Sequence, residues 1–230
     1  MLANGRVEHD LFTIYTYNQT AGRGQAGNSW ESEPNKNLTF STLFQLNNVA
    51  VENQFVLCQL VPLAIKNVLN EIICIHDGAL PKVVVKWPND IYWCDKKLGG
   101  ILIEHSIIDG RIAYSIAGVG LNINQRVFRS NAPNPVSLAQ IIGQDSDLEY
   151  VLDTILSEFS RLKPMLQQPE NLKALYMNDL YRSDGFYTYN AGGELFEACI
   201  TDVAFNGLLT LTLRSGEKRQ YAFKQVSYVI

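Results

Sequence analysis

The periodicity of the chain changes at Tyr181, and that change limits the fold more than any other feature. Beyond it only strand-like runs remain, 185–189, 195–205, 208–213, 219–223 and 226–230, parted by turn signals at 190–193, Asn206-Gly207 and Ser215-Gly216. Asn-Gly is a strong hairpin signal because both residues tolerate the positive φ that a tight turn demands. Residues 182–230 are too few to bury a self-sufficient core, so a small C-terminal β-barrel docked on a larger domain of residues 1–181 is expected. Ahead of Tyr181 the pattern is mixed. Runs 12–17 and 38–46 are β-branched and aromatic and read as strands. So do 82–87, 91–94, 98–104 and 111–117, with the turn Cys94-Asp95-Lys96-Lys97 joining the middle pair. Residues 54–74 are apolar at helical spacing, with Pro62 as an expected kink. Leu148, Val151, Leu152, Ile155, Leu156, Phe159 and Leu162 keep one helix face apolar, Ser146 and Glu149 stand at capping-box spacing before it, and 169–180 can form a further helix. The fold class is α+β: a mixed β-sheet with helices, plus the small barrel.

Composition narrows the function. Hydrophobic residues make up 47 % and charged residues 18 % of 230, enough apolar side chain to bury a full core. A net charge of −4 gives no sequence-independent grip on a phosphate backbone, so nucleic acid is not an expected partner. No stretch reads as the roughly 18 to 20 uninterrupted apolar residues of a membrane span, and Arg6, Glu8, His9 and Asp10 interrupt any apolar signal run at the start. Cys58, Cys74, Cys94 and Cys199 lie far apart with no C-x-x-C pair, and His9, His76 and His105 lack ligand spacing, so no metal site is expected. The cysteines read as buried thiols of a reducing compartment, and the cytoplasm is the expected location.

Three motifs could carry chemistry. Gly22, Gly24 and Gly27 satisfy G-x-G-x-x-G, but Asn28-Ser29-Trp30-Glu31-Ser32-Glu33-Pro34 does not open the apolar-periodic helix that a dinucleotide site requires. What survives is a backbone-exposing loop with one guanidinium, Arg23, ending at the aromatic Trp30; glycines alone would leave it an ordinary surface turn. Lys86-Trp87-Pro88-Asn89-Asp90 leads into a hairpin that returns through Lys97-Leu98-Gly99-Gly100-Ile101-Leu102, so Asp90 and Lys97 stand on opposite arms, where side chains meet. A solvated Lys96-Lys97 pair is an equally good reading of that run alone. Gly118-Val119-Gly120-Leu121-Asn122 ends a strand with two glycines and an amide able to address a heterocycle edge, although a plain strand end explains it as well.

Together and in this order, Gln19-Thr20-Ala21-Gly22-Arg23-Gly24 with Trp30, the Lys-Trp-Pro-Asn-Asp run with its double-glycine hairpin, and Gly118 to Asn122 resemble the biotin protein ligase family. Tyr221-Ala222-Phe223-Lys224-Gln225-Val226 is similar to that family's C-terminal barrel. The resemblance covers nearly the whole chain and implies a class II synthetase-like catalytic domain. It implies a monofunctional ligase that activates biotin with ATP and Mg²⁺ and passes it from biotinyl-adenylate to a lysine of a biotin carboxyl carrier domain. No membrane is implied, and a homodimer across an exposed sheet edge or face is in keeping with the family.

The resemblance also implies roles. Lys97 would bridge the biotin carboxylate and the α-phosphate, Arg23 would reach the same phosphate, and Asp90 would hold Lys97 and assist the acceptor lysine in losing its proton; these three are the catalytic candidates. Two anions brought together need cations where charge gathers. Gln19, Gly22, Gly24, Trp30, Gly99, Gly100, Ile101, Gly118 and Gly120 join Arg23 and Lys97 as biotin-binding candidates. Asn89, Asn122, which would read the adenine edge, and Lys224 join Arg23, Trp30 and Lys97 at the nucleotide. Trp30 would fold over the adenylate and exclude water.

Three departures from the family pattern modify these expectations. Gln25, Ala26 and Asn28 stand where a further basic residue is usual, so weaker retention of the adenylate is expected. The family's Ser-Thr-Asn segment does not precede the first strand, which suggests a start internal to a longer reading frame. No helix-turn-helix segment precedes the catalytic part, so repressor activity is not expected. The alternatives are a lipoate ligase or octanoyltransferase relative, and a catalytically weak biotin- or carrier-binding protein. The tail as a separate nucleic-acid or peptide module is a third; five basic and five acidic residues from Arg182 onward cancel, which speaks against nucleic acid.

Overall fold

β-Branched and aromatic runs build the first sheet, and the glycine segments interrupt it where the chain must turn back. In the computed structural model the described residues are 10–27, 29–77, 83–130 and 132–230. Expectations that fall on residues 1–9, on Asn28 or on Lys82, and the one about a segment ahead of the first strand, lie outside them. The elements run β1 (Thr13–Thr16), β2 (Gly22–Arg23), β3 (Ser29–Trp30), β4 (Leu38–Ala50), α1 (Val56–Asp77), β5 (Val83–Lys86), β6 (Asp90–Trp93), β7 (Lys96–Ile108), β8 (Arg111–Leu121), α2 (Leu138–Ile142), α3 (Leu148–Leu162) and α4 (Pro169–Asn178). Then come β9 (Tyr187–Ala191), β10 (Glu194–Val203), β11 (Leu209–Leu213), β12 (Lys218–Tyr221) and β13 (Ser227–Tyr228).

Six strands pair in the order β1-β4-β8-β7-β6-β5, every ladder antiparallel. The mixed character expected of this sheet is confined to two isolated parallel bridges, Val85 to Leu180 and Lys97 to Pro135. Hairpin connections, which need only short turns, make β5–β6, β6–β7 and β7–β8 antiparallel. Phe40 and Phe44 alternate toward Phe159 of α3, while α1 packs against α3, α4 and the strands. Burial of Leu57, Leu60, Ile65, Leu69 and Ile73 anchors α1 in the core. Residues Val51–His76 are in fact long and apolar enough to span a bilayer, contrary to expectation, but most of that stretch is buried inside the protein.

The C-terminal strands form a second antiparallel sheet, β12-β11-β10-β9-β13. It is not the closed barrel expected: its edge strands, β12 and β13, do not pair with each other, and β13 is two residues long, too short to carry the staggered closing ladder a barrel needs. It docks as anticipated. Phe55 N donates to Phe205 O, Trp87 Nε1 donates to Gly207 O at 3.0 Å, and Lys173 pairs with Asp202 at 2.6 Å.

Local details differ from the sequence reading in three places. Helix α3 is capped by Asp147, whose side chain accepts from the backbone N–H of Glu149 and Tyr150, and not by Ser146. The capping box sits instead on the short α2, between Ser137 and Gln140. Lys96 and Lys97 already belong to β7, so the hairpin turn is only Cys94-Asp95, with Cys94 at φ 50°. Cys74 and Cys94 are exposed, not buried.

Candidate active site

Two walls enclose a cavity of about 470 Å³ on the sheet face away from α3. The first is made by the β5–β6 turn and the β6–β7 hairpin. Asn89, nearly buried, donates through Nδ2 to Ile101 O, and Ile101 N donates back to Asn89 O at 3.0 Å. This reciprocal pair fixes the backbone leading into Asp90. A register shift between Ile91 and Tyr92 then brings Lys97 within reach of Asp90, Nζ to Oδ1 2.7 Å, with each side chain 24 % exposed. The backbone of Lys97 is itself held: its N–H donates to Asn134 O at 2.8 Å and its carbonyl accepts from Val136 N at 2.9 Å. A cation fixed at strand and side chain needs little reorganisation to meet an anion.

The second wall is the ribbon β2–β3, in which Gly22 pairs with Trp30 and Arg23 with Ser29. A Cβ on Gly22 would lie 2.5 Å from Trp30 O, so only glycine lets the two arms close. The indole of Trp30 lies on the sheet where Gly100 and Gly120 pair across β7 and β8. A Cβ on Gly120 would stand 2.5 Å from the indole Cε2. Lys97 Nζ lies 5.9 Å from that ring, and the indole N–H is buried with no hydrogen-bond partner among the described residues.

Of the candidates read from the sequence, Gln19, Arg23, Gly24, Trp30, Asn89, Asp90, Lys97, Gly100, Ile101, Gly118 and Gly120 all line this cavity. Four do not. Gly22 acts behind the wall, as above. Gly99 faces Leu121 and Ile91 in the core. Asn122 is 3 % exposed and donates through Nδ2 to Val136 O at 3.1 Å and Lys97 O at 3.5 Å, so it braces the Lys97 backbone in place of presenting an edge to a base. Lys224 is exposed outside the lining, where its neighbour Phe223 takes part instead. Sequence reasoning missed Thr39, Ser41, Glu104 and Ile116, which also line the cavity. Period-two alternation along β4, β7 and β8 was the signal that could have found them.

The Lys-Trp-Pro-Asn-Asp run divides its work. Asn89 and Asp90 turn into the cavity. Lys86 lies over the rings of Tyr92 (4.5 Å) and Tyr228 (5.1 Å), and Trp87 bonds Gly207, so the first half ties the six-stranded sheet to the C-terminal one. Burial lowers the Lys86 pKa. His105, hydrogen-bonded to Ser115 at 2.6 Å, is likewise held down by burial. Among the described residues no three His, Cys, Asp or Glu side chains gather as a metal cage.

Residues 6–122, just over half of the sequence, match the Biotin/lipoate A/B protein ligase family. The chain belongs to that family. Among curated ligases of this kind it is 34 % identical over 116 residues to the bifunctional ligase/repressor BirA of Escherichia coli, a match covering 50 % of this chain and 34 % of that protein. It is 28 % identical over 155 residues to the biotin–[acetyl-CoA-carboxylase] ligase of Paracoccus denitrificans, covering 64 % and 61 %. The match thus spans less than two thirds of either relative. Among solved ligases, the biotin protein ligase of Aquifex aeolicus in complex with biotin and ATP superposes with a TM-score of 0.74 at 25 % identity, covering 94 % of this chain and 87 % of that one.

Proposed function

We propose that the chain is an ATP-dependent biotin protein ligase, which forms biotinyl-5′-adenylate and passes biotin to a lysine of a carboxylase's biotin carboxyl carrier domain. The observation that carries this reading is the Lys97–Asp90 ion pair in a cavity shared with Arg23, in a chain that superposes on a ligase bound to biotin and ATP. In the first step a biotin carboxylate oxygen attacks the α-phosphorus of ATP, the bond to the β-phosphate oxygen breaks, and pyrophosphate leaves. Lys97 and Arg23 supply positive charge where the two anions meet. Magnesium enters as the ion of MgATP, carried on phosphate oxygens and water. In the second step the acceptor amine attacks the acyl carbon, AMP leaves, and the amine gives up its proton, for which Asp90 stands ready beside Lys97. The indole of Trp30 keeps water from the mixed anhydride.

Pyrophosphate–ATP exchange tests the first step. Exchange is expected with biotin and not with lipoate. Exchange driven by lipoate, or none with either, would contradict the reading.

A further inference from the structure

Among the described residues two pairs hold the ribbon that carries Trp30, and its far end has a further tie. The next residue supplies it. Glu31 Oε1 accepts from Arg129 N at 3.0 Å and from Gln125 Nε2 at 2.9 Å, and its Oε2 accepts from Ser130 N at 2.6 Å. Gln125, 1 % exposed, continues the tie: its Oε1 accepts from Glu33 N at 3.0 Å and from Asn37 Nδ2 at 2.5 Å. Two adjacent backbone N–H groups and an amide converging on one carboxylate form a compact set of donors for an anion, and charge-assisted bonds of this kind are the strong ones. Burial pushes the Glu31 carboxyl pKa up, but the bonds from Ser130, Arg129 and Gln125 outweigh it and the net shift is down.

We propose that Glu31 is a positioning residue for the ligation: it clamps the chain after Trp30 to the 125–130 segment and so keeps the indole seated on Gly120 over the Lys97–Asp90 pair. Glu31 is not itself among the residues lining the cavity; it acts through its neighbour Trp30, which is. The consequence is retention of the adenylate and not the speed of its formation. The inference rests on the ligase reading for its kinetic part only.

The test compares the parent with Glu31→Gln and Glu31→Ala. Release of biotinyl-adenylate from the preformed complex is expected to quicken about tenfold or more in Glu31→Ala and less in Glu31→Gln. The single-turnover rate of adenylate formation at saturating biotin and ATP should stay within a few-fold of the parent. Hydrogen exchange of the ligand-free protein should quicken at residues 22–30 while β7 and β8 stay protected. Unchanged release in Glu31→Ala, or formation and release changing together with faster exchange throughout the sheet, would overturn the proposal. A parent that makes no adenylate would count against the ligase reading alone, because exchange at 22–30 still decides the clamp: faster in the variants supports it, equal to the parent overturns it.

Discussion

The two walls of the cavity are built on different principles. The hairpin wall is held by ladders: Asp90 opens β6, Lys97 lies in β7, and Asn89 and Asn122 fasten the backbone beneath them. The ribbon wall rests on two pairs, an indole lying on glycine, and a carboxylate anchor. Charge chemistry needs groups already in place, because reorganising a cation during the reaction adds to the barrier. Closure needs a part that can part from the floor to admit ligands. On the proposed reading, the difference puts the fixed cation of the chemistry on the hairpin and retention on the ribbon, with Arg23 the ribbon's contribution to phosphate binding.

That division makes graded predictions. Substituting Lys97→Ala removes the fixed cation and should lower kcat/KM for biotin-dependent pyrophosphate exchange about 10²- to 10³-fold. A loss of only a few-fold would break the assignment of chemistry to the hairpin. Asp90→Asn keeps the shape but removes the charge that orients Lys97, and about a ten- to hundredfold loss in the same assay is expected. Arg23→Ala, on the ribbon, should raise the KM for ATP about tenfold with less effect on kcat. A kcat loss as large as that of Lys97→Ala would show that the two walls share the chemistry equally. The mildest change, Gly120→Ala, pushes a methyl into the indole. Adenylate release, followed by chase from the preformed complex, should quicken several-fold with the rate of formation little altered.

The sequence made one wall more legible than the other. Asp90 and Lys97 could be placed on opposite arms of one hairpin from the sequence, but their contact depends on the register shift between Ile91 and Tyr92, which no turn signal sets. Gly118 and Gly120 could be read as a plain strand end, and nothing local showed that an indole from another segment lies on Gly120, because no pattern ties residue 30 to residue 120. Asn122 misled for a related reason. An amide at a strand end suits a ligand or a backbone carbonyl equally, and only the fold of 134–136 beside β7 decides for the carbonyl. Glu31 was invisible as an anchor because its donors lie nearly 100 residues away in the 125–130 segment. The tail's strands were legible from its alternation and turn signals, whereas its closure into a barrel depended on edge-strand lengths that turn signals do not set.

The most direct test of the central claim is a streptavidin blot of an isolated biotin carboxyl carrier domain after incubation with this protein, biotin and MgATP, beside the same mixture containing Lys97→Ala. Label that requires the parent protein, biotin and ATP, and disappears with Lys97→Ala, is the expected result. Label of equal strength with both proteins, or none with the parent while its pyrophosphate exchange is intact, would contradict it.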